Sequence, residues 1–108
     1  SLDPTAFMKD LQSRYSPFGY VPDTHMQASF GHLFGYSAMY YTYMWSLVIA
    51  RDLLRRFEEE GMLSEQTATA YRKAVLDPGG SKNAADLVRD FLGRAYGFEA
   101  FADWVNER

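Results

Sequence analysis

Ser37-Ala-Met-Tyr-Tyr-Thr-Tyr-Met-Trp-Ser-Leu-Val-Ile-Ala-Arg-Asp-Leu-Leu-Arg-Arg-Phe-Glu-Glu-Glu-Gly61 is the stretch on which the fold turns. Its apolar positions recur at helical spacing, Ser37 is a capping residue type and Gly61 a stop. The spacing predicts one helix from about 37 to 60. Its first half, Ala38 to Ala50, carries no charge on any face. A helix apolar all round is buried on all sides, and 108 residues offer little to surround it. The expectation is a central helix of a larger protein. The chain opens on Ser1-Leu2, and a missing N-terminal part is expected.

Shorter helices are predicted around this one. Asp3-Pro4 pairs a capping carboxylate with proline in the first turn. Phe7, Leu11 and Tyr15 then recur every four residues until Ser16-Pro17-Phe18-Gly19 stops the run. Residues 16–36 read as irregular, punctuated by Pro17, Pro22, Gly19, Gly31 and Gly35; so long a loop is usually functional. Ser64 is expected to cap a helix over 65–76, with Ala68, Tyr71, Val75 and Leu76 inward. Asp77-Pro78-Gly79-Gly80 is a turn. Asn83 is expected to cap the next helix, with Leu87, Val88, Phe91 and Leu92 on one face. A last helix from Phe98 would turn Phe101, Trp104 and Val105 inward. There is no strand-length alternation and no repeat. The fold class is all-α, one long central helix with three to four shorter ones.

The composition is 47% hydrophobic and 23% charged, that of a globular domain or a piece of one. A net charge of −3 with no basic block disfavours a nucleic-acid partner. The run Arg51 to Glu60 reads as a solvated helix face. With no cysteine there is neither a disulfide framework nor a thiolate metal site, which fits a cytoplasmic location. The uncharged stretch from Met26 to Ala50 raises the question of a membrane span, but glycines, a histidine and hydroxyls interrupt it. It reads as a loop entering a buried helix, with no membrane partner.

Four of the eight tyrosines, Tyr36, Tyr40, Tyr41 and Tyr43, fall within eight positions. They follow Gly31-His32-Leu33-Phe34-Gly35. A buried hydroxyl without a partner costs about 1–3 kcal/mol, so the cluster suggests hydroxyls aimed at something polar. On a helix starting near residue 36, Tyr36, Tyr40 and Tyr43 would share a face and form a ladder of donors. The helix N-terminus would add unpaired N–H groups, the glycines would let backbone approach a ligand, and His32 would add another donor. Such a set suits a peptide's carbonyls or its terminal carboxylate. A tyrosine stripe at this spacing is more often a core element, its hydroxyls reaching the surface or each other. His25 and His32 lack a third nitrogen ligand, so no metal is expected on this chain alone. Ser29 has no nucleophile-elbow pattern, and Asp77-Pro-Gly-Gly-Ser81 lacks the lysine of a phosphate loop.

Gln27-Ala-Ser-Phe-Gly-His-Leu33 and Gly35-Tyr-Ser-Ala-Met-Tyr-Tyr-Thr-Tyr-Met-Trp-Ser46 resemble the C-terminal region of the thimet oligopeptidase family of zinc metallopeptidases. The resemblance continues in Phe57-Glu-Glu-Glu-Gly61, Tyr71-Arg72, Val75-Leu-Asp-Pro-Gly-Gly-Ser81, Leu87, Phe91 and Gly93-Arg94. It implies that residues 1–108 are the C-terminal helical part of a two-lobed oligopeptidase catalytic domain. The HExxH zinc helix would lie upstream and is absent from this sequence. The full-length enzyme would hold Zn2+ and hydrolyse short peptides; this chain alone would hold none and be inactive. By the same resemblance Tyr43 would stabilise the oxyanion, His32 would contact substrate backbone, and Tyr36, Tyr40 and Gly35 would bind substrate near the scissile bond. Tyr41 would serve packing. Three departures from the family pattern stand out: Phe34-Gly35 is one residue short, Leu47 follows Ser46 where many members have glutamate, and Ala95-Tyr-Gly-Phe-Glu99 replaces the usual tail. They suggest a divergent bacterial branch. The alternative is a stand-alone helical module that binds a peptide or partner protein. A helix cut from its neighbours is also expected to self-associate near Tyr40 to Ile49.

Overall fold

The computed structural model describes residues 2–107. Among them there are helices and turns but no strand, as the all-α reading requires. The chain divides into two compact units, one ending at Tyr41 and the other beginning at Thr42.

In the first unit, α1 (Pro4–Tyr15) starts where Asp3 Oδ1 accepts the N–H groups of Thr5 at 2.9 Å and Ala6 at 3.3 Å. It ends at Ser16, ahead of Pro17. The stretch expected to be irregular contains two single-turn helices, α2 (Met26–Ser29) and α3 (His32–Gly35). Polar contacts hold α2 to α1: Gln27 Nε2 donates to Thr5 Oγ1 at 2.8 Å, and Gln12 Nε2 reaches Met26 Sδ at 3.5 Å. No side chain between residues 2 and 41 is fully buried. Phe7 and Tyr15, aligned by their spacing, are both exposed.

In the second unit, α4 (Thr42–Glu60) is the longest element and stops at Gly61, whose φ of 108° only glycine adopts readily. Ser64 Oγ accepts the Thr67 N–H at 3.2 Å and opens α5 (Glu65–Tyr71). A π-helical turn, Arg72–Leu76, and a 3₁₀ turn, Gly79–Ser81, lead to α6 (Ala84–Leu92) and α7 (Glu99–Asn106). The core is Val48 of α4 with Leu87, Val88 and Phe91 of α6. The Phe91 ring lies 5.3 Å from Tyr71 and 5.8 Å from Phe57. Burying one such ring is worth about 1.5–3 kcal/mol. α7 packs on α4, with Arg51 stacked 4.1 Å over the Trp104 ring.

Several expectations change here. α4 starts at Thr42, not near 37, because Ser37 has a φ of 51°. A left-handed residue cannot propagate a right-handed helix, and Ser37–Met39 closes as a 3₁₀ turn instead. The π-helical turn widens the chain after Tyr71 and breaks the 3.6-residue register. Leu76 and Ala68 are exposed, and Thr67 is the buried residue of α5, 1% accessible. Asn83 occupies the N-cap position with its side chain unused; its carbonyl accepts from Asp86 and Leu87. Phe101 and Trp104 are half-buried, but Val105 is exposed. The first half of α4 is not enclosed by this chain: Tyr43, Met44 and Trp45 are exposed and Val48 is the first buried position.

The charge run is not simply a solvated face. Asp52 is 3% accessible and lies under Arg94. Arg56 stacks on Phe91 at 4.6 Å and donates to the Phe91 carbonyl. Among the described residues no helix is long and apolar enough to cross a membrane.

Candidate functional site

His32, Tyr36 and Tyr40 come together in the first unit, though not on one helix. α3 is a single turn, and Tyr36 follows it with its N–H bonded to the His32 carbonyl at 2.8 Å. Ser37 then reverses the backbone, and the Met39 N–H returns to the Tyr36 carbonyl at 2.8 Å. The two turns fold the segment around the imidazole. His32 stacks on Tyr36 at 5.6 Å between ring centres and meets Tyr40 edge-on at 5.5 Å. Phe30 completes the set, 5.0 Å from Tyr40 and 5.5 Å from His32. The edge-on Phe30–Tyr40 contact is of a kind worth roughly 0.5–1.5 kcal/mol beyond its buried area. Phe30 lies in the Gln27–Leu33 motif but carries no donor, so its place two residues before His32 is the sequence signal for its role.

Both glycines that bracket this histidine have room to spare. A Cβ at Gly31 or Gly35 would meet nothing within 4 Å, and neither residue has a positive φ. Neither the backbone conformation nor packing inside this chain demands glycine there. Phe34, between them, is among the most exposed large side chains.

Tyr43 sits in the second unit, on the first turn of α4. The expected ladder of Tyr36, Tyr40 and Tyr43 on one helix face is therefore not formed. Tyr41, expected to pack, is 59% exposed. The first unit groups an imidazole with two phenols, and the second carries a phenol at a helix start.

The electrostatic centre of the second unit lies further along α4. Asp52 Oδ1 accepts from Arg94 Nη2 at 2.7 Å, and Oδ2 accepts from Arg94 Nη1 at 2.7 Å and the Gly97 N–H at 2.8 Å. The Arg94 fork, aided by the Gly97 N–H, holds the Asp52 carboxyl below the usual carboxylate range against the opposing effect of burial. The same pairing raises Arg94. Glu60 is also lowered, first by the Thr67 hydroxyl and then by Arg56. Asp52 stands four residues after Val48, on the same helix face; a carboxylate in the register of the core was the sequence signal for this pair. A groove of about 920 Å³ runs beside it, lined by Arg55, Arg56, Glu60 and Asp90 among others. None of the candidate residues lines it.

Among the described residues no three His, Cys, Asp or Glu side chains gather as a metal ion requires. The donors present are phenol, imidazole and backbone N–H, which suit a carbonyl or an oxyanion.

Comparison with known proteins gives one consistent answer. The description "Peptidase family M3" fits residues 1–106. The chain is 43% identical over 68 residues to oligopeptidase A of Escherichia coli strain K12, covering 61% of this chain and 10% of that protein. It is 35% identical over 89 residues to oligopeptidase A of Haemophilus influenzae, covering 81% and 13%. It is 36% identical over 90 residues to mitochondrial intermediate peptidase of Schizophyllum commune, covering 83% and 12%. The chain thus spans about an eighth of the length of the curated relatives it matches.

Proposed function

From the premise that this chain belongs to peptidase family M3, we propose that it is the C-terminal, substrate-facing part of an oligopeptidase that hydrolyses short peptides. The observation that carries the reading is the cluster of Phe30, His32, Tyr36 and Tyr40, beside two glycines that the chain's own fold does not need. A peptide offers carbonyls for phenol and imidazole donors, and glycine leaves room for its backbone. His32 contacts substrate backbone, with Tyr36, Tyr40 and Gly35 beside it. Tyr43 donates to the oxygen of the carbonyl under attack as charge develops there.

The family resemblance also implies zinc in the whole protein. The described residues do not bring together a ligand set for it; the part proposed for this chain is binding, orienting and proton donation from a phenol. The lack of any fully buried side chain between residues 2 and 41 supports the same reading, since such a unit is better suited to lie against further protein than to stand alone. This chain by itself would bind peptide weakly and not cleave it.

The test is His32→Ala in the full-length protein with a short peptide substrate. Contact with the backbone of bound substrate predicts a rise in KM of about tenfold or more, the scale of one lost hydrogen bond to a charged or polarised group. Unchanged kcat and KM would remove His32 from the site.

A further inference from the structure

The segment after α6 is held onto α4 at both of its ends. Gly93, with a φ of 72°, ends α6 in the left-handed conformation and turns the chain toward α4. Arg94 then grips Asp52 with two bonds of 2.7 Å, and the Gly97 N–H bonds the same carboxylate at 2.8 Å. Between these two tied residues stands Tyr96. Its ring meets Trp45 edge-on, 5.9 Å between centres and 88° between planes. Trp45 lies on the first turn of α4, two residues beyond Tyr43. The first turn of a helix has N–H groups without intrahelical partners and is where a helix opens most easily. Asp52 lies two to three turns deeper, inside the packed part of the unit.

We propose that Tyr96 is a positioning residue for Tyr43: clamped at both sides by Asp52, it braces Trp45 and thereby holds the first turn of α4. This rests on the reading of Tyr43 as the oxyanion donor. The brace lies within Ala95-Tyr-Gly-Phe-Glu99, the segment that departs from the thimet oligopeptidase pattern. The contact is made by the ring, so the phenol oxygen of Tyr96 is dispensable and the ring is not.

Steady-state kinetics of the full-length protein on a short peptide, with rates expressed per folded molecule, test the brace. Tyr96→Ala is expected to lower kcat about tenfold or more with KM within about twofold, because small misplacements of a catalytic group cost rate rather than binding. Tyr96→Phe restores kcat, whereas a residue that served only stability would alter the folded fraction and leave kcat per folded molecule intact. Tyr96→Leu, which keeps apolar bulk but no ring edge, is read the same way if the alanine variant folds poorly. The double variant Y43F/Y96A should be no slower than Y43F, since both changes remove one contribution. Slow Y43F with normal Y96A and Y96L, or losses that multiply in the double variant, would overturn the brace. Normal kcat in Y43F would overturn the underlying reading of Tyr43, and the brace with it.

Discussion

Arg94→Met removes the guanidinium from a carboxylate that is 3% accessible while keeping most of the stem. Asp52 would be left with the Gly97 N–H as its remaining bond from this trio. Breaking a buried ion pair from one side costs about 3–5 kcal/mol, because a charge remains without its partner. The Arg94 side chain is itself 52% exposed, so water offsets part of the loss. The expected destabilisation is about 2–3 kcal/mol. Both tryptophans of the chain, Trp45 and Trp104, lie in the second unit. Their fluorescence during urea unfolding of the isolated chain follows this unit, with wild type and variant compared at one protein concentration because association shifts apparent stability. Adding Asp52→Asn to Arg94→Met should recover part of the loss, since no uncompensated charge is then buried.

The pH dependence has a definite sign. The folded Asp52 has a lowered pKa, so its contribution is present above the ordinary value of 3.8 and is lost as pH falls through the lower folded value. The gap in stability between wild type and Arg94→Met should stay constant from neutrality to about pH 5 and narrow below it. A loss below about 0.5 kcal/mol at pH 7, the range of an ordinary surface substitution, would refute the reasoning. So would a gap that widens in acid.

Thr67→Val keeps the shape of the one buried residue of α5 but deletes the hydroxyl that donates to Glu60 at 2.7 Å and lies 2.9 Å from Ser64 Oγ. A loss of about 1–2 kcal/mol in urea unfolding is expected; a neutral result would show that Glu60 and Ser64 are satisfied by water. Ser37→Val places a β-branched side chain at a φ of 51°, where bulky residues are strained by roughly 1–3 kcal/mol. It should loosen the turn between Tyr36 and Tyr40 and shift the His32 ring resonances in NMR spectra, whereas Ser37→Gly should leave them in place. The isolated chain exposes Tyr41, Tyr43, Met44 and Trp45 in succession and is expected to self-associate through that stretch. A monodisperse monomer in sedimentation at micromolar concentration would contradict this.

What could be read from the sequence was local. Asp3 and Ser64 cap as their residue types suggest, Gly61 stops α4 in left-handed backbone, and the α6 face of Leu87, Val88 and Phe91 follows the 3.6-residue period. The motif around His32 pointed to the family, which the comparisons bear out. What could not be read depends on backbone states or on distant partners. Serine carries no sequence mark for a φ of 51°, so spacing alone starts the helix five residues early and puts a tyrosine ladder on it. A π-helical turn leaves no compositional trace, so the 3.6-residue period puts Leu76 inward where the structure exposes it. Asp52 and Arg94 are 42 residues apart, and only the fold makes that charge run part of a clamp.

The central claim is that this chain supplies donors for a peptide carbonyl, and Tyr43→Phe in the full-length protein tests it most directly. Loss of one oxyanion donor is worth about 2.7–4 kcal/mol of barrier, or roughly 10²–10³ in kcat. The account predicts that fall in kcat on a short peptide, with KM changed by no more than a few-fold. A normal kcat, or a loss carried entirely by KM, would contradict it.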